Sequence, residues 1–215
     1  MERIICLGIG YIFGLFQTGY LYGKLKHVDV RNFGSGNAGT TNTMRVLGKK
    51  AGIITYLGDC FKAVFAGLCT YAIYHNSASS IILILLLYTG LGVVLGHNYP
   101  VYMGFKGGKG IAASSGVILA LFDWKLILLA LFTFTIVTVI SKYVSLGSLC
   151  MMAGFFIEFV IFGQLGMLHN LHFDNRLEAY ILAFLLSALA FWRHRANIGR
   201  LIHGTERKIG QKKTE

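Results

Sequence analysis

Seven long apolar stretches divide this sequence, and their lengths restrict the folds it can adopt more than any other feature. A helix needs about 20 consecutive apolar residues to span the hydrocarbon core of a bilayer. Because 55% of the residues are hydrophobic and only 13% are charged, too few polar side chains remain to cover a water-exposed surface. The stretches lie at residues 4–23, 52–74, 80–96, 111–122, 126–141, 144–163 and 178–192. The sequence therefore predicts an all-α polytopic membrane protein with about seven transmembrane helices, in a single domain over residues 1–215.

The fourth stretch, 111–122, is short for a transmembrane helix. At a rise of 1.5 Å per residue it covers only about 18 Å. We expect it either to borrow residues from the glycine-rich segment before it or to be a half-helix surrounded by the other helices.

The positively charged residues indicate how the chain is oriented. If the N-terminus lies outside, 16 of the 20 Lys and Arg residues fall in the four inside segments and three fall outside. Those inside segments are 24–50, 97–110, the turn at Lys142, and 193–213. Cytoplasmic loops of membrane proteins carry an excess of Lys and Arg, so we predict an outside N-terminus and a cytoplasmic C-terminus.

Within the first inside segment, residues 31–50 form a polar segment with far more polar chemistry than a connector requires. Glycines allow backbone N–H groups to approach an anion closely, and small hydroxyl and amide side chains add further donors. Arg45 follows and is able to grip a phosphate with two parallel donors. The alternative is a flexible loop with a basic flank. We interpret the segment as an anion site, with the candidate residues Gly34, Ser35, Gly36, Asn37, Gly39, Thr41, Asn42 and Arg45.

The second and third segments repeat this combination of small polar residues and basic ones. In 96–110, Lys106 and Lys109 flank two glycines, a pattern that a plain basic loop does not require and that favours phosphate binding. In 194–206, His194, Asn197 and Arg200 recur at helical spacing and would share one face. A basic tail attracted to anionic lipid would explain the arginines there, but it explains His194 and Asn197 less well.

Several other patterns carry little weight. Gly34, Gly36 and Gly39 match a dinucleotide fingerprint, but the acidic residue that should follow, Asp59, lies inside a predicted span. Asp59 is expected to pair with Lys62 or a neighbour. The four cysteines, at positions 6, 60, 69 and 150, have neither metal-ligand nor disulfide-scaffold spacing.

Two further acidic positions lie away from the basic segments. His169 and Asp174 spell a His-x4-Asp acyltransferase motif, but the predicted topology puts them outside, so we treat the match as chance. Glu158 lies within the sixth stretch, and an unpaired carboxylate inside a membrane is a functional candidate by default.

Taken together, the three segments resemble the PlsY family of bacterial integral-membrane glycerol-3-phosphate acyltransferases, which use acyl phosphate as donor. The motif residues are Ser35-Gly36-Asn37, Thr41-Asn42 and Arg45; Gly96-His97 and Phe105-Lys106-Gly107-Gly108-Lys109-Gly110; and His194-Arg195, Asn197-Ile198, Arg200-Leu201, Gly204 and Glu206. Ala38 and Thr40 replace a proline and an alanine of the family motif, and Ala113 replaces a common threonine. The segment 142–148 also resembles a family segment, with lysine where arginine is usual.

The resemblance implies acyl transfer from acyl phosphate to the 1-hydroxyl of sn-glycerol 3-phosphate, giving lysophosphatidic acid and phosphate, the first step of phospholipid synthesis. It implies an active site at the cytoplasmic face of the bacterial inner membrane, with the two substrates and the lipid bilayer as partners and no cofactor, metal or nucleic acid. Delivery by a soluble enzyme that produces acyl phosphate stays open. A transporter or channel for a phosphorylated anion is the alternative function, and a non-catalytic membrane scaffold is a third.

Roles for individual residues follow from the resemblance. Arg45 and Lys109, with Lys106 as a second candidate, would hold the glycerol phosphate or stabilise the leaving phosphate. Ser35 and Asn37, with the backbone amides of 34–39, would line the donor's phosphate. His194 would position or deprotonate the attacking hydroxyl, and Asn197 would orient His194 or the substrate. The catalytic candidates are Arg45, Lys109, Ser35, His194 and Asn197. The substrate- and phosphate-binding candidates are Gly34, Gly36, Asn37, Gly39, Thr41, Asn42, His97, Lys106, Gly107, Gly108, Ser145, Ser148, Arg200 and Glu206.

We predict that His194→Ala lowers turnover by orders of magnitude, because the attacking hydroxyl would lose the group that positions it. The measurement is the acyltransfer rate of the folded variant in lipid or detergent. A near-normal rate would remove His194 from the mechanism.

Overall fold

A computed structural model describes residues 1–211, which form ten α-helices joined by turns and short 3₁₀ segments. The helices are α1 Glu2–Gly14, α2 Thr18–Leu25, α3 Thr40–Leu47, α4 Lys49–Tyr74, α5 Ile82–Asn98, α6 Ile111–Ala120, α7 Trp124–Ser141, α8 Val144–Gln164, α9 Arg176–Arg193 and α10 Arg195–Ile202. The described part of the chain contains no strand, so the predicted all-α class is confirmed.

Six helical segments of this bundle are long and apolar enough to cross a membrane by length and composition. They are Glu2–Leu25, Lys49–Tyr74, Ser79–Met103, Trp124–Ser141, Val144–Gln164 and Phe173–Arg193. Each overlaps one of the apolar stretches recognised in the sequence. The remaining stretch, the fourth, forms α6, which has ten residues and is about 15 Å long at 1.5 Å per residue. The helix begins at Ile111, so it does not borrow residues from the glycine-rich segment before it, and most of its residues are buried. Of the two expectations, the half-helix surrounded by the other helices is the one that the structure shows.

The first span is interrupted, which the sequence did not predict. α1 ends at Gly14 and α2 begins at Thr18, with Gln17 in an extended conformation between them. The side-chain amide of Gln17 donates hydrogen bonds to the carbonyl oxygens of Gly14, Gly96 and His97, at 3.2, 3.4 and 3.0 Å. The amide therefore satisfies a carbonyl at the break and ties the first span to the end of α5.

Glycines allow α1 and α5 to cross at close range. A Cβ on Gly10 would collide with the backbone of Thr89, and a Cβ on Gly92 with the backbone of Leu7. Close approach through small residues is a common way for helices to pack in a membrane, where lipid tails compete equally for apolar contacts. α4 packs on the same pair, so these three segments form one side of the bundle, and α8 and α9 pack together on the other.

The four segments predicted to lie inside all meet at one end of the bundle. The loop after α2, the loop after α5, the turn at Lys142 and the chain after α9 contribute residues to a common pocket described below. Two of the residues in the charge count, Lys212 and Lys213, lie outside the described residues. Which side of the membrane this end faces stays a prediction.

We predict that Gly10→Ala destabilises the protein by about 1–3 kcal/mol, because the added methyl group meets backbone that cannot move aside. The measurement is the unfolding midpoint in detergent. Gly8→Ala is the matched control in the same helix, since a Cβ there has nothing within 4 Å. Equal midpoints for the two variants would contradict the close crossing.

Candidate active site

A pocket of about 530 Å³ opens where the four segments predicted to lie inside meet. Fifteen of the nineteen predicted site residues line it: Gly34, Ser35, Asn37, Gly39, Thr41, Asn42, Arg45, His97, Lys109, Ser145, Ser148, His194, Asn197, Arg200 and Glu206. Gly36, Lys106, Gly107 and Gly108 do not. Residues about 160 positions apart in the sequence are therefore brought into one cavity.

Asn42 organises the first polar segment. Its Oδ1 accepts a hydrogen bond from the backbone N–H of Ser35 at 2.8 Å, and its Nδ2 donates to the carbonyls of Val30 and Phe33 at 2.8 and 3.0 Å. The 2% exposed amide thereby folds the loop around itself at Gly34, whose φ is +65°. Asn42 therefore holds the loop together, and its predicted substrate-binding role stays a prediction.

The glycine-rich loop after α5 does not present its amides to the pocket. The N–H groups of Gly107 and Gly108 donate to the carbonyls of Asn98 and His97, at 3.1 and 3.0 Å. Their own carbonyls accept hydrogen bonds of 2.9–3.1 Å from the guanidinium of Arg193. The glycines allow close packing of this backbone against α5. The predicted phosphate-binding role of these two residues stays a prediction.

Lys106 and Lys109 separate in the structure although they flank the same glycines. Lys106 is exposed and lies outside the pocket, and its predicted phosphate role stays a prediction. The ammonium of Lys109 donates a hydrogen bond to Oδ1 of Asn197 inside the pocket. In the sequence, Arg193 was treated only as one of the positive charges. In the structure, its guanidinium holds the loop between Lys106 and Lys109 in place.

Asn197 and Glu206 extend this contact into a network. The Asn197 amide Nδ2 donates to Glu206 Oε1 at 2.7 Å, and Ser145 Oγ donates to the same oxygen at 2.9 Å. Arg200 Nε donates to the other carboxylate oxygen at 2.6 Å. Burial opposes ionisation of this carboxyl, but the three hydrogen bonds outweigh it and lower the pKa of Glu206. Asn197 thus joins Lys109 to Glu206, and its predicted role in orienting His194 or the substrate stays a prediction.

His194 sits at the junction of α9 and α10 and is 4% exposed. Its Nδ1 lies 2.8 Å from the carbonyl oxygen of Ala190, which only accepts, so Nδ1 carries the proton and Nε2 is a free acceptor. Burial and the neighbouring Lys109 ammonium lower the pKa of His194 to about 4. The imidazole is therefore neutral near pH 7 and a weaker base than its ordinary pKa suggests.

The pocket carries an excess of positive charge. Arg45, Lys109 and Arg207 line it, and none of the three has a carboxylate partner within residues 1–211. Burial lowers the pKa of Lys109 to about 8, although the Glu206 carboxylate opposes the shift. Loss of hydration and the nearby guanidinium of Arg207 lower the pKa of Arg45. Mutual repulsion among these cations makes the pocket a strong site for an anion.

Helix N-termini add to this field. The first residues of α3, α6 and α8 line the pocket, including Thr40, Ile111 and Val144. The N-terminus of a helix carries a partial positive charge and free N–H groups, which favour phosphate. Positive charge and hydrogen-bond donors for an anion therefore come from the helix N-termini as well as from side chains.

The structure adds pocket residues that sequence reasoning missed. Thr40, Tyr56, Asp59 and Arg207 line the pocket. The expected Asp59–Lys62 pair is present, with 3.1 Å between Oδ1 and Nζ. In the sequence, Asp59 stands out because it lies one helical turn before a lysine in an apolar stretch. Nothing in the neighbouring sequence indicates that it reaches a cavity.

Two discounted positions lie away from the pocket. His169 lines a separate small cavity with residues near the far ends of the spans, which agrees with treating its motif as chance. Glu158 lies on α8, with its Oε2 buried and without a hydrogen-bond partner in the described part of the chain.

Comparisons with known proteins show which family the chain belongs to. A family model described as glycerol-3-phosphate acyltransferase matches residues 4–204. A glycerol-3-phosphate acyltransferase of Thermoanaerobacter sp. (strain X514) is 39% identical over 213 residues, covering 99% of this chain and 98% of the relative. Two crystal structures of PlsY (YgiH), an integral membrane glycerol 3-phosphate acyltransferase, are similar in fold. The glycerol 3-phosphate form has a TM-score of 0.81 and 33% sequence identity to this chain. The lysophosphatidic acid form has a TM-score of 0.80 and 32% sequence identity. Each match covers 98% of this chain and 96% of the PlsY chain. The chain therefore belongs to the glycerol-3-phosphate acyltransferase (PlsY) family and is an integral-membrane acyltransferase.

Proposed function

We propose that the chain transfers an acyl group from acyl phosphate to the 1-hydroxyl of sn-glycerol 3-phosphate, giving lysophosphatidic acid and inorganic phosphate. The observation that carries this proposal is the pocket with three cations that have no carboxylate partner among the described residues, Arg45, Lys109 and Arg207. Both proposed substrates bear a phosphate, so such a pocket is suited to hold the two close together. Holding reactants side by side lowers the entropic part of the barrier.

The proposed step is direct attack. The acceptor hydroxyl oxygen forms a bond to the acyl carbon, and the bond between that carbon and the phosphate oxygen breaks as phosphate leaves. An acyl phosphate is an activated mixed anhydride, so electrostatic stabilisation of the leaving phosphate suffices without a covalent acyl-enzyme. Lys109 and Arg45 supply that stabilisation, and their proximity to one another makes it strong.

His194 is proposed to orient the hydroxyl. Its free Nε2 accepts the hydroxyl's hydrogen bond, since Nδ1 is committed to the Ala190 carbonyl. Because its pKa is about 4, the imidazole is a weak base, so it orients the hydroxyl towards the acyl carbon and does not keep its proton. The departing phosphate is the better final acceptor of that proton. Ser35 and Asn37, which line the pocket, are proposed to contact the donor's phosphate.

The acyl chain is proposed to enter from the lipid side. Apolar residues of four helices complete the pocket wall: Tyr56, Ile111, Ala112, Phe134 and Val144. α7, which bears Phe134, is the least buried of the spans, so its outer side faces lipid. We further propose that the pocket opens at the cytoplasmic face of the bacterial inner membrane, on the support of the positive residues gathered at that end.

We predict that purified protein makes lysophosphatidic acid from palmitoyl phosphate and labelled glycerol 3-phosphate, and makes none when acyl-CoA replaces the acyl phosphate. The measurement is labelled lipid product, with a reaction lacking protein as control. Product from acyl-CoA alone would overturn the proposed donor. No product from either donor with folded protein would overturn the reaction and favour testing glycerol phosphate flux in liposomes.

We predict that kcat/KM for glycerol 3-phosphate falls as the pH rises through about 8. The Lys109 ammonium is charged below its pKa of about 8 and neutral above it, so the free enzyme loses a phosphate-binding cation on the alkaline side. Lys109→Arg should shift this decline to a higher pH, because a guanidinium stays protonated.

Lys106→Arg is the matched control, since Lys106 belongs to the same loop but is exposed outside the pocket. This variant should keep the decline of the unmodified protein. An unchanged decline in Lys109→Arg would show that another group titrates.

A further inference from the structure

The guanidinium of Arg193 joins two parts of the site that the proposed reaction uses together. Its Nε and Nη2 donate hydrogen bonds to the carbonyl oxygen of Gly108 at 3.1 and 2.9 Å, and Nη2 also donates to the carbonyl oxygen of Gly107 at 3.0 Å. Lys109 follows Gly108 directly in the chain, and His194 follows Arg193. Each of these two functional side chains is therefore one peptide away from the same set of hydrogen bonds.

Arg193 is itself held in place by its surroundings. Its guanidinium carbon lies 5.2 Å from the centre of the Tyr99 ring, within the range of a cation–π contact. The carbonyl oxygen of Tyr99 in turn accepts a hydrogen bond of 2.9 Å from the hydroxyl of Tyr11 on α1. Within residues 1–211 no carboxylate lies within 4 Å of Arg193, so its donors serve the two glycine carbonyls. Because a guanidinium is a rigid planar fork, these contacts fix the direction of both carbonyls.

The loop that Arg193 holds has little rigidity of its own. Three of the residues 107–110 are glycines, and the fourth is Lys109. The N–H groups of Gly107 and Gly108 donate to carbonyl oxygens at the end of α5, at 3.1 and 3.0 Å. The loop is therefore tied to α5 through its N–H groups and to α9 through its carbonyls. Without the second tie, Lys109 would stand on a glycine segment held from one side only.

Lys109 and His194 line the same pocket and interact electrostatically. Burial lowers the pKa of His194, and the charge on Lys109 lowers it further. An ammonium group has three donors, and Asn197 Oδ1 accepts from one of them. Two donors remain for phosphate oxygens, one for the acceptor's phosphate and one for the leaving phosphate. The free Nε2 of His194 accepts from the attacking hydroxyl, so the two side chains would hold opposite ends of one acceptor.

We propose that Arg193 is a positioning residue that selects the length of the acceptor, because it fixes the distance between Lys109 at the acceptor's phosphate and His194 at its reacting hydroxyl. Glycerol 3-phosphate has three carbons between these two ends. An acceptor with a fourth carbon would place its hydroxyl away from the acyl carbon when its phosphate is bound. Arg193 does not line the pocket, so it acts through the loop and not by touching a substrate.

This inference rests on the proposed function, and its test compares two acceptors with palmitoyl phosphate as donor. The monophosphates of propane-1,3-diol and butane-1,4-diol differ by one methylene group between the reacting hydroxyl and the phosphate, and neither has a further hydroxyl. Since a misplacement of about 1 Å costs a reaction roughly 100-fold in rate, we expect kcat/KM of the unmodified protein to favour the three-carbon acceptor by roughly 10- to 100-fold. The measurement is the acylated product of each acceptor.

Two substitutions of Arg193 vary the tie to the loop. Arg193→Met removes the donors and keeps an unbranched stem, so it should lower kcat/KM for the three-carbon acceptor more than for the four-carbon one, and the preference should fall towards one. Arg193→Lys keeps the charge but lacks the planar fork that reaches two carbonyls. It should retain more of the preference than Arg193→Met. The preference is a ratio measured on one preparation, so a smaller folded fraction does not change it.

Arg195→Met is the matched control. Arg195 lies at the same end of the bundle, with its guanidinium carbon 4.9 Å from the centre of the Trp192 ring and its Nη1 donating to the carbonyl oxygen of Trp192 at 3.1 Å. It has no hydrogen bond to the glycine-rich loop among the described residues. This variant loses the same charge and leaves the loop tied, so its preference between the two acceptors should equal that of the unmodified protein.

The outcomes separate this inference from the proposed function. If the unmodified protein acylates both acceptors equally well, or if Arg193→Met slows both by the same factor, the positioning role is overturned while the reaction stands. An equal loss of preference in Arg195→Met would trace it to charge alone and would also overturn the role. If the unmodified protein makes no lysophosphatidic acid from acyl phosphate and glycerol 3-phosphate, the reaction is overturned and this inference with it. A preference lost in Arg193→Met, kept in part in Arg193→Lys and kept fully in Arg195→Met supports the positioning role.

Discussion

The buried ammonium group of Lys62 is the interaction on which the arrangement of the bundle around the pocket depends. A charge in this position costs several kcal/mol unless it is paired and hydrogen-bonded. Its acceptors come from three different spans: two carbonyls at the break after α1, the carboxylate of Asp59 on α4, and the imidazole of His97 on α5. The three spans must therefore meet at this level. The break in the first span is part of the same arrangement, because an unbroken helix would keep those carbonyls for itself.

The spans could be predicted from the sequence because length and hydropathy are local properties. The break after Gly14 could not. The residues there, Leu15, Phe16 and Gln17, include neither proline nor glycine, and the partners that stabilise the break are 46 to 80 positions away in the sequence. The membership of the pocket was largely predictable, since small polar residues and cations cluster in three segments that charge alone assigns to one side.

The use of each residue within the pocket was less predictable. A glycine-rich segment beside lysines looks the same in sequence whether its amides face a ligand or its own backbone. Here the amides of Gly107 and Gly108 and the side chain of Asn42 are already hydrogen-bonded within the protein. Arg193 shows the converse, because a residue that counted as one positive charge proves to clamp the glycine loop. Composition gives the inventory of donors and acceptors, and only tertiary structure shows which of them are already paired.

The shortness of α6 has an energetic consequence for lipid traffic. Its ten residues cover about 15 Å, roughly half of a bilayer's hydrocarbon thickness, and its first residues line the pocket while its far end packs near the opposite ends of the spans. In the proposed membrane orientation, the pocket at the start of α6 therefore lies at the depth of the hydrocarbon tails. Lifting a tail into water costs about 0.8 kcal/mol for every methylene group. Under the proposed entry from the lipid side, a tail that moves sideways into the pocket stays in apolar surroundings, so its transfer avoids that cost and the water-soluble substrate is the one that moves towards the lipid.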